Sequence, residues 1–238
     1  MAAARESAAA RLIRIASYNV HGAVGRDQLH APERIRDVIR EIDPDIIALQ
    51  EVESGRNGVD LFEWLAAETG LAPIAGKTLM RANRHYGNLI LSRWPATSFQ
   101  LLDLTWSRRE PRGAIAASIP CDGHRLHVVA THLGLRPAER RAQVERLLGL
   151  FTETQMDHEV LLGDLNEWYL WGRPLKRLRN YFDELPAPPT FPSRRPVFAL
   201  DRIYASPKGI LKKLAVHRSA LASHASDHLP IVATLDLG

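Results

Sequence analysis

Short apolar runs that stop abruptly at polar residues recur along this chain. Leu12-Ile13-Arg14-Ile15-Ala16-Ser17-Tyr18-Asn19-Val20 is the first and reads as a buried strand ending near Asn19. A loop with Gly22 and Gly25 follows. Pro32 then stands where a helix begins, Ile35, Val38, Ile39 and Ile42 recur at helical spacing, and Asp43-Pro44 ends the pattern. Ile46-Ile47-Ala48-Leu49 is a second buried strand, running into Gln50-Glu51. Strand, helix and strand within about 40 residues predict a βαβ-type crossover.

The arrangement returns. Leu126-His127-Val128-Val129-Ala130 leads to Thr131-His132, Pro137 opens a helical stretch with Val144, Leu147, Leu148 and Phe151 on one face, and Val160-Leu161-Leu162 leads to Gly163-Asp164-Leu165-Asn166. Asn19 to Glu51 is 32 positions, and so is His132 to Asp164; the offset between the copies, 113, carries Asn88 onto Asp201. Both of those also adjoin apolar runs, Leu89-Ile90-Leu91 and Ile203-Tyr204-Ala205. The pattern predicts two similar α/β halves presenting polar side chains at strand ends. Further strands are expected at 113–119 and 230–236, and a helix at 59–68 with Val59, Phe62 and Leu65 as its stripe. Pro186–Pro192 reads as a surface loop, Asn57-Gly58 as a turn, residues 1–10 as a flexible tail and 11–238 as a single domain.

Composition narrows the class. A hydrophobic content of 45% and a charged content of 24% are ordinary for soluble globular chains and exclude disorder, a collagen and a disulfide scaffold. No apolar run approaches the roughly 18–20 residues that span a bilayer. The opening Met-Ala-Ala-Ala-Arg-Glu-Ser lacks a following apolar region, and one cysteine, Cys121, cannot form an internal bridge. A cytoplasmic monomer without stable membrane insertion is the expectation. The net charge is +4 and 26 of the 31 basic residues are Arg, which fits either an anionic partner or a coding bias toward Arg and Ala.

The chemistry gathers at the strand ends: Asn19, Glu51, His132, Asp164, Asn166, Asp201, Asp227 and His228. Carboxylates, amides and imidazoles without a thiolate suit hard cations such as Mg²⁺ or Mn²⁺ better than zinc. Any one of these residues alone would be an ordinary cap or turn residue; their joint placement argues for a site.

Ser17-Tyr18-Asn19-Val20, Leu49-Gln50-Glu51-Val52, Gly87-Asn88-Leu89-Ile90-Leu91-Ser92, Thr131-His132-Leu133, Gly163-Asp164-Leu165-Asn166, Leu200-Asp201-Arg202-Ile203 and Ser226-Asp227-His228-Leu229-Pro230 occur in that order. The series resembles that of the endonuclease/exonuclease/phosphatase superfamily, over about residues 12–236. The resemblance implies a deoxyribonuclease I-like fold, a four-layer α/β sandwich of two mixed β-sheets flanked by helices. It further implies Glu51 as the main metal carboxylate with Asn19 beside it and Asp227 completing the acidic cluster. Asp164 would orient or deprotonate the attacking water, steadied by Asn166. His228 would contact the scissile phosphate with its ring held by Asp201, and His132 would face the phosphate or the leaving oxygen. Asn88 and Arg112 fall where substrate contacts are expected. At His132 the chain sides with the deoxyribonuclease and sphingomyelinase branches, since the apurinic-site enzymes tend to carry Tyr there.

The function implied is divalent-metal-dependent hydrolysis of a phosphodiester by in-line water attack, on nucleic acid or a phospholipid-type head group. The alternatives are a phosphomonoesterase of the same superfamily and a non-catalytic phosphate-ligand binding protein that keeps the fold. Trp168, Tyr169 and Trp171 follow the Asp164 motif and are placed to wall a cleft or to pack as a lid. Arg108-Arg109 with Arg112, Arg173 with Lys176, Arg177 and Arg179, and Arg194-Arg195 form short basic clusters, either a nucleic-acid track or a solvated rim. His21, His85 and His224 lie near motifs as further cleft candidates.

Overall fold

The computed structural model describes residues 12–55, 58–81, 84–154 and 156–238. The expected tail over 1–10 and Asn57 of the expected turn lie outside the described residues.

Two sheets stack face to face. The first has the spatial order β10 (Leu211–Val216), β11 (Ile231–Leu235), β1 (Ile13–Asn19), β2 (Ile46–Ser54), β4 (Arg84–Ser92) and β3 (Ala72–Arg81). The second runs β5 (Ser98–Asp103), β6 (Gly113–Cys121), β7 (His124–His132), β8 (His158–Asp164) and β9 (Asp201–Ser206). Helices α1 (Pro32–Ile42), α2 (Leu61–Thr69) and the single-turn α5 (Ala222–Ala225) pack on the first sheet; α3 (Pro137–Thr154) and α4 (Arg173–Tyr181) cover the second. The result is the four-layer sandwich of two mixed sheets that the motif series implied.

The inferred duplication is visible in the topology. β1 and β2 are parallel, as are β7 and β8. Each parallel pair is flanked by antiparallel neighbours, β11 and β4 in the first sheet, β6 and β9 in the second. A crossover helix, α1 or α3, joins each parallel pair, so both pairs end at the same edge of their sheets as the strand direction requires.

Strand alternation sorts the apolar side chains into three layers. Ile13, Ile15, Ile46 and Ala48 meet Val128, Ala130, Val160 and Leu162 between the sheets. Their odd-and-even counterparts Ala16, Tyr18, Ile47 and Leu49 face Ile35, Val38, Ile39 and Ile42 of α1. On the other side Val129 and Leu161 face Val144, Leu147 and Phe151 of α3. Being apolar on both faces is why these strands read as continuous runs.

Some expectations need correction. Val59 is 42% exposed and precedes α2, which begins at Leu61 because the Asp60 side chain accepts a hydrogen bond from the Phe62 amide at 3.0 Å. The Pro186–Pro192 stretch is not simply a surface loop, since Thr190 within it is fully buried. Gly163 fixes the end of β8. It lies opposite Thr131 with φ +148°, and a Cβ there would sit 1.9 Å from the Thr131 carbonyl oxygen. Gly163→Ala should therefore destabilise the protein by about 2–3 kcal/mol through overpacking and backbone strain, measurable as a lowered denaturation midpoint. Among the described residues, no helix is long and apolar enough to cross a membrane.

Candidate active site

The polar ends of β1, β2, β7, β8 and β9 meet at one cleft between the two halves. Its walls include Glu51, His132, Asp164, Asn166, His228 and Arg112, and its volume is about 470 Å³.

Asn19 and Asp164 come from opposite sheets and join the two halves. The Asn19 amide Nδ2 donates to Glu51 Oε1 at 3.0 Å and to Asp164 Oδ2 at 3.1 Å. Glu51 owes its position to a bulge in β2, where the pairing with β4 shifts register between Leu49 and Val52. Without the extra residue, alternation would turn Glu51 toward α1 and α2 alongside Leu49; with it, Val52 takes that direction and the carboxylate is freed for the cleft. Three residues here adopt a left-handed backbone unusual for side-chain-bearing residues: His21 (φ 48°), Glu51 (φ 58°) and Asn166 (φ 50°).

On one wall, His228 Nδ1 is 2.8 Å from Asp201 Oδ2, which also accepts the Thr190 hydroxyl at 2.5 Å. The other ring nitrogen, Nε2, is 3.7 Å from Asp164 Oδ2. Burial alone would lower the affinity of the imidazole for its proton, but Asp201, Asp164 and Asp227 outweigh it, so His228 is held protonated well above the usual histidine range. Asp164 is likewise raised from the ordinary carboxylate range: burial and the nearby Asp201 raise it, against His228, the Asn166 amide and Asn19. The ligand atoms of Asp164, Asp201 and His228 lie within 4.8 Å of one another. A cation does not suit that triangle while His228 is held protonated, because an imidazolium has no lone pair to offer it.

The His132 ring is fixed from both sides. Arg112 Nη1 donates to Nδ1 at 2.9 Å, and since a guanidinium is only a donor, Nδ1 must be the acceptor. The other ring nitrogen, Nε2, lies 3.6 Å from Asp164 Oδ2 and 3.9 Å from Glu51 Oε1. Burial and the Arg112 charge pull His132 down to about 3, so it remains uncharged. The Asn166 amide Nδ2 reaches His132 Nε2 at 2.9 Å and donates to the Leu133 carbonyl at 2.9 Å, and the Asn166 backbone amide donates to Asp164 Oδ1 at 2.9 Å, so donors face both nitrogens of the His132 ring.

The opposite wall is where a hard cation fits. Burial raises the Glu51 carboxyl, yet hydrogen bonds from His21 and Asn19 hold it well below the ordinary carboxylate range. His21 Nδ1 stands 3.6 Å from Glu51 Oε2 and 3.7 Å from Asp227 Oδ1, and Glu51 raises its proton affinity. Among the described residues, only histidines come within ion-pair distance of Glu51. An imidazole whose proton affinity is raised by the carboxylates on either side of it marks a point of negative potential that oxygen donors offer to a divalent ion. Glu51, Asp227 and Asn19 fit that role.

Not every expected residue reaches the cleft. Asn88 is buried between the sheets, where its Nδ2 donates to the Gly113 carbonyl at 3.1 Å. His85 is not part of the cleft wall, and Tyr86 faces it instead, its phenol raised by burial and by Glu51. His224 turns to Asp27 at 3.1 Å. Of the basic cluster on α4, Arg177 pairs with Glu145 at 3.2 Å and Arg179 with Glu184. Trp168 does line the cleft, half out of it, against Phe198 at 4.7 Å and Phe191 at 5.9 Å. Its loop is anchored by the buried pair of Arg140 and Glu167, 3.1 Å apart. Tyr86, Thr190 and Phe191, whose ring lies tilted at 44° with its centroid 4.8 Å from that of His228, carry no motif signal in the sequence.

Comparison with known proteins follows the same lines. A sequence model of the Endonuclease/Exonuclease/phosphatase family matches residues 16–228. "Uncharacterized protein YbhP" of Escherichia coli strain K12 is 29% identical over 245 aligned residues, covering 94% of this chain and 96% of its own length. Among solved structures, an endonuclease/exonuclease/phosphatase from Bacteroides vulgatus superposes with a TM-score of 0.80 at 19% identity, covering 96% of this chain and 100% of that one. One from Beutenbergia cavernae gives 0.78 at 24% identity, over 96% and 72% of the two chains. At such identities the two solved structures are alike in fold.

Proposed function

Starting from the premise that the chain belongs to the endonuclease/exonuclease/phosphatase family, whose members act on phosphoesters, we propose that it is a divalent-metal-dependent phosphodiesterase. The observation that carries this reading is the division of charge across the cleft: a protonated His228 backed by Asp201 on one wall, an ionised Glu51 with Asn19 on the other, and Asp164 between them.

Each group has a task that its surroundings suit. Asp164, raised toward neutrality, accepts a proton from the attacking water at its carboxylate oxygen. Asn166 and Asn19 keep the carboxylate aimed by hydrogen bonds to Oδ1 and Oδ2 respectively. His228 Nε2 donates to a non-bridging phosphoryl oxygen as negative charge builds there. His132, being neutral, holds Arg112 and Asn166 in place at the cleft wall and transfers no proton. Water oxygen adds to phosphorus and gives its proton to Asp164, the bond from phosphorus to the ester oxygen on the far side breaks, and that oxygen takes up a proton from solvent water while Asp164 returns its own to solvent. A divalent cation held by Glu51, Asp227 and Asn19 supplies Lewis-acid polarisation and stabilises the departing oxygen when bound.

The cleft favours a diester over a monoester. A monoester brings a second negative charge, whereas the wall carries Glu51, Glu110 and Asp164, with Glu53 paired to Arg84, against His228 and Arg112, and the Arg112 guanidinium is turned to His132 and Glu110. The test is hydrolysis of bis-p-nitrophenyl phosphate and of p-nitrophenyl phosphate with Mg²⁺, with Mn²⁺ and with EDTA. Diester turnover abolished by EDTA is expected. Preferential monoester turnover would make the protein a phosphomonoesterase, and inertness toward both would leave only a binding role. Glu51→Gln should raise the Mg²⁺ concentration needed for half-maximal rate on the order of tenfold or more; an unchanged titration would remove Glu51 as a ligand.

A further inference from the structure

Three loops reach the cleft mouth at one end of the second sheet. Leu135 follows β7, the run Trp168–Trp171 follows β8, and Val197 with Phe198 precedes β9. Because β7 and β8 are parallel and β9 antiparallel to β8, these loops emerge where His132, Asp164 and Asp201 end or begin their strands. All three present large apolar side chains to solvent: Trp171 is 78% exposed, Val197 67% and Leu135 62%. The side chains adjoin one another, with Trp168 4.7 Å from Phe198 and Tyr169 5.6 Å from Trp171, and Leu135 and Trp168 share the cleft wall. A contiguous exposed patch of this kind marks an interaction surface.

Within the three loops the exposed charges are all basic, while Glu51, Glu53 and Glu110 share the cleft wall with Leu135 and Trp168. Exposed Arg136 adjoins Leu135, exposed Arg173 follows Trp171, and exposed Arg194 and Arg195 precede Val197. No acidic residue occurs within 133–138, 168–173 or 191–198. Tryptophan and tyrosine with aliphatic side chains and flanking Arg is the composition that sits at the boundary between lipid tails and anionic head groups. Single-stranded nucleic acid would use the aromatics for stacking but gains nothing from exposed Leu135, Leu170 and Val197.

We propose that this arginine-flanked apolar patch docks the protein peripherally on an anionic phospholipid surface, with the cleft mouth turned to the head groups. The consequence for substrate, a phosphodiester in a lipid head group, rests on the phosphodiesterase reading; the docking itself does not.

The experiment is co-sedimentation with vesicles of phosphatidylcholine alone and of equal parts phosphatidylcholine and phosphatidylglycerol. Wild type should bind the mixed vesicles and shift its tryptophan emission to the blue. The triple variant Leu170→Ser/Trp171→Ser/Val197→Ser should lose on the order of a hundredfold in affinity. Arg194→Glu/Arg195→Glu should lose on the order of tenfold or more, and with it the preference for the mixed vesicles. Circular dichroism and hydrolysis of soluble bis-p-nitrophenyl phosphate should stay unchanged in both. Failure of wild type to sediment, or undiminished binding by the triple variant, overturns the proposal. So does binding of oligothymidylate, in place of vesicles, that the triple variant loses. Vesicle binding without diester turnover would uphold docking and refute the phosphodiesterase reading; turnover without vesicle binding would do the reverse.

Discussion

Asp164→Asn should yield a folded protein whose diester turnover is lowered about 10³-fold or more. The loss of a positioned general base alone accounts for roughly 10²–10⁴-fold. The amide keeps the shape of the carboxyl, so the Asn166 backbone contact at 2.9 Å can persist. What it cannot do is accept a proton, and its NH₂ group would meet donors on Asn19 and His228. Because the native carboxylate is buried, replacing it with a neutral amide removes a desolvation cost. The melting temperature is therefore expected to stay level or rise while kcat collapses. A variant that retains wild-type kcat would remove Asp164 from the proposed mechanism, and one that is inactive because it is unfolded would be recognised by the melting curve.

Asp201→Asn is expected to lower kcat by about 10³-fold with a smaller change in KM. Asp201 is fully buried and touches only the ring and its surroundings, so its effect must pass through His228. With an amide at this position, the negative charge that keeps the imidazole protonated is gone. The amide can also turn its NH₂ to Nδ1, which selects the tautomer without a hydrogen to offer there. This is the logic by which a buried acid fixes a catalytic histidine. Steady-state kinetics on bis-p-nitrophenyl phosphate separate the two constants. Comparison with His228→Gln supplies the control: the two substitutions should cost nearly the same, singly or together, because they disable one unit. Additive losses would show that Asp201 and His228 act independently.

Much of the fold was legible because the strands that build the site are buried on both faces. Ile46–Leu49 and Val160–Leu162 are unbroken apolar runs since one side meets the other sheet and the other side meets a helix. The edge strands gave no such signal. β5 leaves even Phe99 and Leu101 exposed, and β10 interrupts Leu211 and Leu214 with Lys212 and Lys213, so neither is a continuous apolar run. α4 was read as a string of cations because Arg173–Tyr181 alternates them with Leu175 and Leu178, whose burial only the sheet beneath reveals. In the site, spacing located Asn19, Glu51, His132 and Asp164, but the bulge that redirects Glu51 depends on pairing with β4. Asn88 shows the opposite failure. It falls at the right offset, yet strand alternation sends its amide to the Gly113 carbonyl, away from the cleft.

The left-handed backbone at His21, Glu51 and Asn166 has a consequence for the protein's evolution in the laboratory. Asparagine tolerates that conformation, whereas Glu and His are held there at about 1 kcal/mol each. Selection for heat resistance alone would thus be expected to drift positions 21 and 51 toward glycine or asparagine, enriching sturdier proteins with emptied chemistry. Libraries aimed at hardening this scaffold should hold those two codons constant.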